Sequence, residues 1–128
     1  MYLDAKKFIL SFHWCAEVED AYFGFGIGGV IAIFLLKIIP KDISTDKYLW
    51  VIVGGMPPVY LDTFNTNNCY KALYGYLELL KEWIEAVKSG SSLKDLIEIN
   101  VPATMEWAML LQNRITFIED NILKYYQK

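Results

Sequence analysis

Residues 47–61, KYLWVIVGGMPPVYL, constrain the fold more than any other stretch. Tyr48, Trp50, Val51, Ile52 and Val53 are aromatic or β-branched in nearly unbroken succession, which suits a strand buried on both faces. Gly54-Gly55 ends the run, because residues without a Cβ take the positive φ of a tight turn at little steric cost. Pro57 and Pro58 cannot donate ladder hydrogen bonds, so the returning strand pairs only from about Val59 and is short or lies at an edge.

A second apolar run, AYFGFGIGGVIAIFLLKII over residues 21–39, raises the question of a bilayer. Its uncharged part stops at Leu36, ahead of Lys37, and falls a little short of the roughly 20 residues of a span. Four glycines crowd its first half and Val, Ile and Phe fill its second. The run therefore reads as a connector over residues 24–29 leading into a strand over residues 30–39 that Pro40 stops. A membrane-associated protein using residues 21–39 is a competing reading. KDISTD, residues 41–46, joins this strand to the next, so the two pair most simply as an antiparallel hairpin, which residues 59–64 extend to three strands.

Helical spacing flanks these strands. Phe8, Ile9, Phe12, Cys15, Ala16 and Val18 predict an N-terminal helix over residues 4–20, capped by Asp4. FNTNN, residues 64–68, supplies side chains that cap a second helix. Its stripe is Cys69, Leu73, Tyr76, Leu80, Trp83 and Val87, and Gly90 ends it. Leu93, Leu96 and Ile97 pin the following connector to the core. The last helix opens at Pro102-Ala103-Thr104, with Thr104 as cap, Glu106 in its first turn, and a stripe of Ala108, Leu111, Ile115, Ile118, Ile122 and Tyr125. The expected fold is α+β: a small antiparallel sheet of about three strands packed against two long C-terminal helices, with an N-terminal helix, in a single globular domain over residues 1–128.

A chain of this length buries one sufficient core. Its hydrophobic fraction of 55% is high, and the excess must go into a core, a bilayer or a partner. A net charge of −3 without clustered Lys and Arg argues against nucleic-acid binding and favours a basic partner. Cys15 and Cys69, far apart in apolar company, read as reduced thiols of a cytoplasmic protein, not as a disulfide framework. The N-terminal residues lack a small-residue cleavage site and do not read as a signal peptide.

No catalytic or ligand signature is strong. Gly24, Gly26 and Gly29 satisfy G-x-G-x-x-G, but no strand is expected before them and no helix after, so they read as a bend into a strand. His13, Cys15, Glu17 and Glu19 alternate, which on a strand would gather them on one face for a metal and on the expected helix scatters them. With one histidine in the chain, a nucleophilic triad would need Cys15 or Cys69 beside His13 and an orienting acid. The carboxylates of Glu17, Glu19, Asp20, Asp42 and Asp46 read more economically as an acidic rim that steers a basic partner than as acid/base catalysts. Tyr22, Phe23 and Tyr74 are the aromatics expected at the surface beside them, whereas Trp50 is expected in the core. No catalytic, metal or cofactor-binding residue is assigned.

The order DAYFGFGIGGVIAIFLLKIIP, YLWVIVGGMPPVYL, ALYGYLELLKEWIEAVKSG, SLKDLIEINVPATMEWAMLL and NRITFIEDNIL resembles a small family of uncharacterised bacterial proteins of similar length. The shared landmarks are the Gly-rich apolar start, Y-L-W-V-x-V-G followed by Pro-Pro, a W-[IV]-x-A-V-x-x-G helix end and a V-N-x-P-x-T helix start. They cover about residues 20–123. Such proteins look like cognate immunity proteins of secreted bacterial toxins. Gly55 departs from the acidic residue expected in relatives, so no function is hung on a carboxylate at this turn. The resemblance implies a non-enzymatic protein that binds and neutralises a cognate protein toxin, and the reading of the acidic rim and surface aromatics supplies the residues expected to bind it: Glu17, Glu19, Asp20, Tyr22, Phe23, Asp42, Asp46 and Tyr74. The alternative from another class is a small enzyme or ligand-binding domain with a pocket between sheet and helices. A homodimer through exposed aromatics is compatible with either.

Overall fold

The computed structural model describes residues 2–27, 30–41, 47–63, 66 and 68–121. Its elements run α1 (Tyr2–Leu10), β1 (Cys15–Ile27), β2 (Ile31–Pro40), β3 (Tyr48–Gly54), β4 (Val59–Asp62), α2 (Cys69–Ser89) and α3 (Met105–Asn121). The fold is α+β, with four antiparallel strands where the sequence suggests about three. The chain divides into two compact units, residues 1–72 and 73–128.

In the first unit the strands lie in the order β1-β2-β3-β4. β3 is buried on both faces from Leu49 to Val53, as its composition predicts. It ends at Gly54, whose φ is 121°, and β4 begins to pair at Val59 opposite Ile52, just beyond the two prolines. One sheet face is filled by Val18, Ala32, Phe34, Leu36, Ile38, Leu49, Val51 and Val53, against which α1 lays Ala5 and Ile9. Near the end of α1 the rings of Phe12, Trp14 and Tyr60 pack together, Tyr60 edge-on to the other two at 5.0 and 5.2 Å.

The N-terminal helix is shorter than its spacing predicts, and the added strand takes its place. α1 stops at Leu10, where the Ser11 hydroxyl donates to the Phe8 carbonyl at 2.6 Å, and Cys15 already belongs to β1. The reason lies in the register. Cys15, Val18, Ala21 and Phe23 pair with Pro40, Ile38, Leu36 and Phe34, alternate residues of a regular β2. Irregularities between Cys15 and Glu17, and between Val18 and Asp20, each insert one residue into β1. Each therefore lengthens the inward-facing step from two to three and bends the strand. Steps of three imitate a helix in sequence. The expected connector is corrected in the same way, since residues 24–27 continue β1. The described part of residues 21–39 is thus the β1–β2 hairpin, and among the described residues no helix is long and apolar enough to cross a membrane.

The second unit holds most of α2 and all of α3. Asn68 caps α2, its side-chain oxygen accepting from the Lys71 amide at 2.9 Å. Leu73, Tyr76, Leu80 and Trp83 of the expected stripe are buried, and Gly90 follows the helix at a φ of 71°. Thr104 caps α3 by accepting from the Trp107 amide at 3.2 Å. Its buried stripe is Ala108, Leu111, Ile115 and Ile118, while Met105, Met109, Leu110 and Phe117 stand exposed. At 100° per residue those four centre on the side opposite the buried stripe, interspersed there with Glu106, Asn113, Thr116 and Asp120. Lys81 of α2 reaches Glu119 of α3 at 2.7 Å. Leu93, Leu96 and Ile97 are half-buried. Asp42, Asp46, Phe64, Ile122 and Tyr125 lie outside the described residues.

Candidate functional site

Five of the residues singled out in the sequence lie on β1, an outer strand of the sheet. There a shallow open groove of about 350 Å³ is lined by Tyr2, Glu19, Asp20, Ala21, Phe23 and Phe34. The pairing of Phe23 with Phe34 sets their rings edge to face at 5.5 Å, and Tyr2 from α1 brings a third ring to 6.0 Å from Phe34. Phe34 is buried, but Phe23 is 66% exposed. A ring set against Phe34 and over Gly26 but about two-thirds exposed keeps capacity for further apolar contact.

The carboxylates are arranged around this groove in different ways. Asp20 accepts from the Ala21 amide at 2.8 Å and from the Tyr22 hydroxyl at 3.0 Å. Both donors are neutral and hold the carboxylate in place, with Lys37 opposite it on β2. The same bond, with the negative charge behind it, holds the Tyr22 phenol above its ordinary range. Glu19, at the second irregularity, forms an ion pair with Lys37 of β2 at 3.6 Å. Glu17 is exposed, but pairs with Ile39 and does not line the groove. Tyr74 is 50% exposed on α2, in the second unit. Glu19, Asp20 and Phe23 therefore meet at one site, with Tyr22 attached through Asp20.

Tyr2, Ala21 and Phe34 are residues of the groove that the sequence reading missed. Phe34 reads as strand core and Tyr2 carries no local signal. Only the β1–β2 register and the placement of α1 bring them together.

The other chemical signals resolve differently. His13, Cys15, Glu17 and Glu19 do not share a helix, since the last three are on β1, yet the irregularities break their alternation. Among the described residues no group of three or more His, Cys, Asp and Glu could hold a metal ion. Gly24 and Gly26 are strand residues, and a Cβ on Gly24 would lie 3.0 Å from the Cys69 Cβ and 3.2 Å from the Ile33 carbonyl oxygen. That glycine permits a close approach at the start of α2, while Gly29 lies outside the described residues. Cys15 and Cys69 are free thiols, both pushed above the ordinary thiol pKa, chiefly by burial. Glu17, Glu19 and Asp20 all stand in solvent, and among the described residues no charged side chain is buried. The arrangement suits recognition of a surface: uncovered rings beside an oriented anion. Comparison with family models, curated proteins and solved structures finds no match for the chain.

Proposed function

We propose that this protein is a non-enzymatic binding protein of the immunity type, which neutralises a protein toxin by covering part of its surface with β1. One observation carries the reading: Glu19, Asp20 and Phe23 meet Tyr2 and Phe34 around a single open groove, with the Phe23 ring uncovered. Exposed aromatics are the usual anchors of protein interfaces, and acidic residues around them raise the association rate with a basic partner and discourage others. The overall charge of −3 acts in the same direction.

The test uses the full chain as bait in a lysate of its source, with bound proteins identified by mass spectrometry and then produced alone in a susceptible bacterium. A captured protein that arrests growth alone, is silenced by co-expression of the wild-type chain and escapes the Asp20→Asn/Phe23→Ala variant supports the reading. Capture that is indifferent to those substitutions, or a captured protein without toxicity, refutes it.

A further inference from the structure

Taking β1 as the recognition face, we infer that its groove receives a segment of the partner protein in which an apolar side chain stands next to an arginine or lysine. The exposed rings of Tyr2 and Phe23, backed by Phe34 and Ala21, offer apolar surface to the first residue in an open groove of about 350 Å³. The second residue is chosen by charge. Glu17, Glu19 and Asp20 place three acidic residues within four positions of β1, with Lys37 ion-paired to Glu19 at 3.6 Å. Asp20 keeps acceptor capacity, since a carboxylate offers about four lone-pair sites and two are used. Its two neutral donors hold it in place in advance, so a guanidinium or ammonium would meet an oriented anion without ordering it first.

Addition of a partner strand is the less suitable mode here. The outer strand is interrupted by three irregularities, and the Asp20 side chain occupies the Ala21 amide. Two copies meeting through β1 would set like charges against each other. Side-chain insertion by a cationic partner avoids both obstacles.

The inference is tested without the partner. The isotope-labelled full chain is titrated at low salt with N-acetyl-leucyl-arginine amide and with the neutral N-acetyl-leucyl-citrulline amide, following backbone amide shifts. The expected result is saturable shifts concentrated at residues 19–23 and 34, at least fivefold weaker binding of the citrulline peptide, and a loss of at least fivefold for Phe23→Ala and for Asp20→Asn. Glu82→Gln, an equal change of charge on α2, should leave the affinity unaltered. Equal binding of the two peptides, shifts as large along α2 as along β1, or an unaltered Phe23→Ala affinity overturns the inference. If the peptides fail while Asp20→Asn/Phe23→Ala still releases a captured toxin, the inference falls and the immunity reading survives. If they bind as expected but no toxin is captured, the immunity reading falls alone.

Discussion

Two glycine-to-alanine substitutions should move stability in opposite directions. Gly54 closes β3 at a φ of 121°, a backbone conformation that residues with a Cβ rarely adopt. An added Cβ there would lie 2.9 Å from the Ile31 Cα and 3.1 Å from both the Ile31 nitrogen and the Val30 oxygen. These are backbone atoms, held by the pairing of Ile31 with Gly54 and by the Gly55 amide donating to Val30 at 2.9 Å, so they cannot swing aside like a side-chain tip. The conformational strain alone is about 1–3 kcal/mol. Restricting the unfolded chain returns about 0.4–1 kcal/mol, and the collision adds to the cost, so a net loss of about 2 kcal/mol is expected. At roughly 4 °C per kcal/mol for a chain of this size, Tm falls by about 8 °C. Gly75 sits inside α2, and beyond its chain neighbours and its own helix backbone nothing lies within 4 Å of an added Cβ. Alanine there gains about 0.5–1 kcal/mol of helix propensity, and Tm rises by about 2–4 °C. Thermal and urea unfolding followed by circular dichroism measure both. A Gly54→Ala protein as stable as the wild type, or two shifts of the same sign, would refute the reasoning.

Leu36→Ala, at a fully buried position of β2, should cost about 2–5 kcal/mol, whereas Phe117→Ala on the exposed face of α3 should stay within about 0.5 kcal/mol in the same urea titration. Lys81 has its pKa raised, first by its bond to Glu119, so the folded state holds that proton more tightly than the unfolded chain. The contribution is therefore full below the ordinary lysine value of 10.5 and is lost as pH rises through the higher folded value. Because the pair is more than a third exposed, the contribution is discounted to at most about 0.5 kcal/mol, and Glu119→Gln should flatten that alkaline decline by no more than this in unfolding curves across the window. With both thiols above their ordinary pKa, Cys15 and Cys69 should react with an aromatic disulfide reagent at pH 8 more slowly in the folded protein than in urea, Cys15 the slower of the two because it is buried. Faster labelling of the folded protein would contradict the burial argument.

Much of the fold is legible in the residues because it is set by local chemistry. The β-branched run of β3, the glycine at positive φ behind it, the two prolines that delay β4, and the Asn68 and Thr104 caps each act within a few positions of themselves. β1 is not legible in that way. Its inward-facing residues step by three only because two inserted residues are absorbed against a regular β2, and that accommodation is a property of the pair, invisible in either strand alone. The groove follows the same division. The sequence supplied the acidic and aromatic residues of β1, but the meeting of Phe23 with Phe34 depends on register, and the arrival of Tyr2 depends on where α1 packs. Local propensities determined which segments turn, extend and coil; the bulged pairing of β1, and with it the composition of its surface, was decided by long-range contacts that no short stretch encodes.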